Sequence, residues 1–148
     1  TAGVDTPRLF AAIADAAQSR LREFNPQDLA NTAWAFATAG VDAPQLFAAI
    51  ADAARQRIHD FNAQDIANTS WAFAKTGVDA PRLFAAIDDA AQSRLGEFNP
   101  QDLANTAWAF ATAGVDAPQL FAAIADALFA AIADAAQSRL GDFNPQAL

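Results

Sequence analysis

The sequence predicts an all-α fold, an α-solenoid of tandem 37-residue helix–turn–helix repeats. Three recurrences predict it. Phe24, Phe61 and Phe98 each open the phrase FN-(P/A)-QD-(L/I)-ANT; Trp34, Trp71 and Trp108 recur at the same spacing; so do Gly3, Gly40, Gly77 and Gly114. A helix pair this short cannot bury its own apolar face, so neighbouring units must stack into one core. The units are placed at 5–41, 42–78 and 79–115, with an irregular fourth at 116–148, as a single array spanning 1–148.

Unit two shows the logic of each element. Asp42-Ala43-Pro44 reads as a helix start, with Asp42 as the cap and Pro44 in the first turn. Leu46, Phe47, Ile50, Ala54 and Ile58 follow at helical spacing as one apolar stripe, and the first helix is expected to end near His59-Asp60. Asn62 caps the second helix and Asp65 stands three residues on, a variant of the capping box. Pro26 and Pro100 occupy the residue after the cap in the flanking units. The second helix carries Ile66, Ala67, Ser70, Trp71, Phe73 and Ala74 and stops at Gly77, a residue that accepts the left-handed conformation closing many helices. Helix pairs at about Pro44–His59 and Ala63–Thr76 are therefore expected in each unit, antiparallel because their connections are short. No stretch alternates with period two, so no strand is expected.

The fourth unit departs from the pattern. LFAAIADA occurs twice in succession, at 120–127 and 128–135, which delays Phe143 by eight residues. Eight residues add about 12 Å of helix and turn the downstream face by about 80°. One long rod from about Pro118 to Leu140 is the favoured reading; imperfect assignment of sequence among near-identical repeats is the other.

Composition narrows the function classes. Hydrophobic residues make up 53 % of the chain, yet the mean hydropathy is only +0.08, because alanine dominates the apolar count. With no cysteine there is neither a disulfide framework nor a thiolate metal site. The chain has no methionine and opens on Thr1-Ala2-Gly3-Val4, which reads as the tail of a repeat. An internal segment of a longer protein, with further repeats at both ends, is expected. No uninterrupted apolar run approaches the roughly 20 residues that span a bilayer, so no membrane span is expected. A net charge of −8 opposes nonspecific phosphate binding, which needs clustered Lys and Arg.

Catalysis and metal binding find no parts. The one histidine, His59, falls at a helix end, and Ser19, Ser93 and Ser138 are a single repeat position. Neither a nucleophile–base pair nor a ligand set can be assembled from them. No enzyme, no metal and no cofactor are expected. Asn31, Asn68 and Asn105 are expected to hydrogen-bond between neighbouring helices, with a ligand-reading role as the alternative. Trp34, Trp71 and Trp108 have two readings: burial at repeat junctions, favoured because a Phe follows each two residues later, and a stacking platform for bases. Arg20, Arg57, Arg94 and Arg139 form a column with Glu23, Asp60, Glu97 and Asp142 three residues on. Ion pairing is the plain reading of that column and a phosphate-tracking row the sharper one.

The phrase FNPQDLANTAWAFATAGVDAPQLF resembles the octotricopeptide and heptatricopeptide repeats of organellar proteins in algae, apicomplexans and their relatives. The likeness rests on the PQDLAN-W-F-A-G run and the D-A-P-x-L-F helix start, and the 37-residue period fits the heptatricopeptide form better. It implies an α-solenoid that binds single-stranded RNA in a chloroplast or mitochondrion, with some members acting inside organellar ribosomes. In a modular reader the ligand-facing positions vary while the scaffold repeats. The varying first-helix pairs are Gln18-Ser19, Arg55-Gln56 and Gln92-Ser93, with Arg22, His59 and Gly96 a turn later. Those pairs, flanked by Arg20, Arg57 and Arg94, are the candidate RNA- or partner-facing residues. Two functions are carried forward: a binding module for single-stranded organellar RNA, and a structural scaffold joining subunits of a large organellar complex such as a ribosome or a photosynthetic or respiratory assembly.

Overall fold

The computed structural model describes residues 2–141, with the side chains of 6–140. Seven α-helices and three short 3₁₀ turns make up the described residues, and no strand occurs among them. The helices are α1 (Ala2–Ser19), α2 (Pro26–Ala39), α3 (Pro44–Gln56), α4 (Ala63–Thr76), α5 (Pro81–Ser93), α6 (Pro100–Ala113) and α7 (Pro118–Gly141). The chain is the α-solenoid that the repeat predicts. The delayed Phe143, and Asp142 opposite Arg139, lie outside the described residues.

The second helix of each pair begins on a complete capping box. The side-chain oxygens of Asn25, Asn62 and Asn99 each accept from the backbone N–H of Asp28, Asp65 and Asp102 at 2.7 Å. Each aspartate accepts in return from the asparagine's own N–H, at 3.0, 3.3 and 3.2 Å. Two otherwise orphaned donors are thus satisfied per helix. At the other end Gly40, Gly77 and Gly114 adopt φ of 69°, 73° and 71°, a left-handed conformation that costs other residues about 1–2 kcal/mol. First helices start differently from the sequence expectation. Ala43 and Ala80 occupy the cap positions with no side-chain bond, so Asp42 stands one residue too early to cap. Pro44 and Pro81 set the first turn instead. Each of these helices also closes sooner than expected, at Gln56 and Ser93, and Ile58–Asp60 and Leu95–Glu97 form 3₁₀ turns that lead to the next cap.

The helices form two layers. α2, α4 and α6 pack directly side by side, more extensively than any other helices touch. Alanine permits this: Ala30, Ala33, Ala67, Ala72 and Ala109 are fully buried and let the backbones approach closely. Between the layers, each first helix sets a phenylalanine edge-on to one from the second. Phe10–Phe36, Phe47–Phe73 and Phe84–Phe110 have ring centroids 5.1, 5.0 and 5.1 Å apart at 82°, 76° and 87°. That T-shaped geometry adds about 0.5–1.5 kcal/mol per pair to the area buried.

α7 is an uninterrupted rod of 24 residues. Its first LFAAIADA copy packs into the array, with Leu120 and Ile124 buried. The second copy, turned by about 80°, leaves Phe129 and Ile132 exposed at 73 % and 65 %. On length and composition, Pro118–Leu140 has the size and mean hydropathy (1.5) of a membrane-crossing helix. Its apolar runs stay short, because Asp126 and Asp134 interrupt them, yet the two carboxylates do not lower the average hydropathy below that of a spanning helix. Its N-terminal part packs against α5 and α6, while only 11 % of its apolar window is buried.

Candidate nucleic-acid interface

Face-to-face packing of α2, α4 and α6 leaves one stripe of each helix pointing away from the first-helix layer. The spacing of the stripe is four, three and four residues, which keeps one helical face. It carries Gln27, Asn31, Trp34 and Thr38 on α2; Gln64, Asn68, Trp71 and Lys75 on α4; Gln101, Asn105, Trp108 and Thr112 on α6. All are exposed except Asn68, Trp71 and Asn105, which are half-buried. The side-by-side stripes form a grid of glutamine, asparagine and tryptophan rows running across the repeats.

The tryptophans correct the favoured reading of the sequence. Trp34 and Trp108 are 46 % and 44 % exposed, and the three rings form a surface ladder with centroids 6.4 and 6.3 Å apart, tilted by 34° and 29°. The reason lies in helix geometry. Two residues are about 200° apart around the axis, so Phe36, Phe73 and Phe110, buried in the core, force the tryptophans two positions earlier to the opposite face. Trp71, between its neighbours, still packs against the edge of the core.

The asparagines are corrected too. Asn31, Asn68 and Asn105 precede the tryptophans by three residues and share their face, where no neighbouring helix offers a partner. Among the described residues, neither these amides nor Gln27, Gln64 and Gln101 make a hydrogen bond within the protein. Nearby, burial raises the pKa of the Asp65 carboxyl above its ordinary value, opposed by the bond it accepts from the Asn62 backbone. In chemical terms the surface offers a row of partly exposed indole rings leaning on one another and free amide donor–acceptor pairs, with Lys75 as the one cation in the grid.

A family model described as "RESC6: RNA-editing substrate-binding complex 6 protein" matches residues 2–141. The chain belongs to the RESC6 family. The match is to RESC6 and not specifically to the octotricopeptide or heptatricopeptide repeats that the sequence resembles. No curated protein matches the chain.

In this RESC6-family chain the arginine column holds repeats together. Arg57 Nη1 donates to the carbonyl oxygen of Phe24 at 2.5 Å, and Arg94 Nη1 to that of Phe61 at 2.6 Å. Each bond crosses from one unit to the one before it. Arg94 also pairs with Glu97 at 2.7 Å, and Arg20 with Glu23 at 2.8 Å. Among the described residues Arg20 makes only the Glu23 pair, and its side chain is largely exposed.

The first-helix candidates sit at the C-terminal ends of α1, α3 and α5, in the other layer. Gln18 and Gln56 are exposed, and Arg55 is half-buried. Ser19 and Ser93 turn their hydroxyls back to the carbonyls of Ala16 and Ala90, at 2.9 and 3.0 Å. Gln92 donates to the Asp88 carboxylate at 2.7 Å. Ser19, Ser93 and Gln92 are thus committed locally, while Gln18 and Gln56 make no hydrogen bond within the protein among the described residues and the Arg55 Nε is buried without a partner. What sets the second-helix grid apart is that its free amides stand beside the tryptophan ladder. Sequence reasoning passed over Gln27, Gln64 and Gln101 entirely. Their signal was register: each lies seven residues before a tryptophan, on the same helical face.

Proposed function

We propose that this chain is a helical-repeat binding module for single-stranded RNA, without catalytic activity, working within an RNA-editing substrate-binding complex. The observation that carries the reading is the exposed tryptophan ladder flanked by unpartnered amides, one set per repeat. Single-stranded RNA is recognised by stacking its unpaired bases on aromatic rings and bonding their edges, and helical repeats suit one base per unit. The family description, with RNA editing and substrate binding in its name, supports the same class of ligand. An organellar location goes with this reading through the repeat resemblance, and nothing in the family description favours a chloroplast.

The charge balance shapes how the binding should behave. With a net charge of −8 and only Lys75 on the grid, affinity comes from stacking and amide bonds more than from counterion release. Fluorescence anisotropy of the chain with labelled random-sequence single-stranded RNA, begun at about 50 mM salt where phosphate contacts are strong, tests this. Saturable binding with a shallow salt dependence, near one phosphate contact, is expected; no saturable binding would end the RNA reading.

A second reading has its own observation. Phe129, Ile132 and Leu140 present an apolar face on the distal half of α7, exposed at 73 %, 65 % and 72 %. Apolar surface of this kind marks protein docking, as a scaffold within the complex would require. That reading predicts that Phe129→Asp abolishes co-purification with a complex subunit while leaving the helical content intact.

A further inference from the structure

We infer that the second-helix grid reads a uniform tract, the same base at each repeat, and not a mixed sequence. The inference rests on the RNA-binding reading above and deepens it by naming the class of RNA.

Three observations lead to it. The first is that the reading set does not vary. α2 and α6 have the same fourteen residues, PQDLANTAWAFATA, and α4 keeps the glutamine, asparagine and tryptophan at the same positions. Gln27, Gln64 and Gln101 are equivalent, as are Asn31, Asn68 and Asn105, and the rings align in one ladder. In repeat recognition each base is chosen by the two or three side chains its unit presents. Equal side chains at equivalent repeat positions choose equal bases. The one variation on the stripe, Lys75 in place of Thr38 and Thr112, adds a cation without altering the amide pair.

The second observation is the chemistry of that pair. A free carboxamide presents an N–H donor beside a carbonyl acceptor, the arrangement that bonds a base edge through two contacts at once. None of the six amides has a protein partner among the described residues, so nothing must be broken before a base is engaged. The third is spacing. Steps of 6.4 and 6.3 Å along the ladder are nearly twice the ~3.4 Å rise of a stacked strand. A strand following the ladder is therefore drawn out and its bases unstacked, with their faces open to the rings. First-helix positions that do vary, such as Arg55-Gln56 against Gln18-Ser19 and Gln92-Ser93, belong to the other layer and do not set the preference.

The test is competition anisotropy of the chain with oligo(A), oligo(U) and oligo(C) of equal length and with a mixed-sequence strand. One homopolymer is expected to bind tightest, and each wrong base placed in a unit's register to weaken binding about tenfold, the low end of typical mismatch costs. The triple variant Asn31→Ala, Asn68→Ala, Asn105→Ala keeps the ladder, and alanine is the better helix former, so its fold is retained and checked by circular dichroism. This variant is expected to bind all three homopolymers alike. Equal affinity of the parent chain for homopolymers and mixed RNA, or a preference for a mixed sequence, overturns the uniform-tract inference while leaving RNA binding standing. Unchanged discrimination in the triple variant overturns it as well. Absence of binding to any RNA removes both, and leaves the grid as a surface for a protein.

Discussion

The arginine column allows one repeat position to be compared with itself in three settings. Arg94 donates to the Phe61 carbonyl in the preceding unit and pairs with Glu97, and its side chain is 25 % exposed. Replacing it by methionine keeps the aliphatic stem in place but removes both bonds and leaves the Phe61 carbonyl, which precedes a helix cap, without its donor. A hydrogen bond from a charged group contributes about 1.5–3 kcal/mol, and an exposed ion pair about 0.2–1 kcal/mol. Arg94→Met should therefore cost about 2 kcal/mol. Arg57→Met removes the carbonyl bond alone, since Arg57 has no ion pair among the described residues, and should cost nearly as much. Arg20→Met removes only a pair whose side chains are 68 % and 63 % exposed, and should cost under about 0.5 kcal/mol. In a chain of this size 1 kcal/mol moves Tm by about 2–4 °C. Thermal melts followed at 222 nm should thus separate Arg94→Met, down by about 4–8 °C, from Arg20→Met, down by about 1–2 °C. Equal shifts for the two would refute the claim that the column ties one repeat to the next.

Other substitutions probe the remaining structural claims. Trp71→Ala should cost about 1–2 kcal/mol in urea melts, well short of the about 3–5 kcal/mol expected for Phe73→Ala, because the ring at 71 is only half-buried and Phe73 is fully buried. Gly77→Ala meets no atom within 4 Å of the new Cβ, so its cost is conformational, about 1–2 kcal/mol, and Gly77→Asn should lose less. Asp65 has a folded-state pKa raised above its unfolded value. Its ionisation therefore costs stability, a cost absent below the unfolded pKa and complete once pH exceeds the folded one. Asp65→Asn, which keeps a carbonyl oxygen for the Asn62 N–H, should gain stability relative to the parent on going from about pH 3 to pH 7, the unfolded carboxyl titrating near ~3.9; a relative loss would reverse the sign argued for burial.

How much was legible in the sequence depended on whether a residue's role was local. Asn62 with Asp65, and Gly77 at the helix end, act within a few residues of backbone, so spacing alone identified their caps. The fold class followed from the 37-residue recurrence for the same reason: stacking is the one way such units bury Phe47, Ile50 and Phe73. The site was less legible. A tryptophan two residues from a core phenylalanine looked like a second core residue until helical phase put it on the other side. That signal was present in the sequence at Trp34 and Phe36. The partner of Arg57 was not legible, because the Phe24 carbonyl lies 33 residues away and only the stacked repeats bring it near. Nor could the sequence say that Gln92 and Ser93 bond within their own helix, which turned first-helix variation into an apparent reading code.

The most direct test of the account is the intrinsic fluorescence of the chain during titration with single-stranded RNA. The sequence has three tryptophans and no tyrosine, and all three tryptophans stand in the ladder, so the emission reports on that surface and no other. Stacking of bases on the rings predicts saturable quenching that tracks the bound fraction seen by anisotropy, with reduced access of acrylamide to the indoles. Saturable RNA binding by anisotropy with tryptophan emission and acrylamide access unchanged would place the RNA elsewhere and contradict the claim that the second-helix grid is the binding surface.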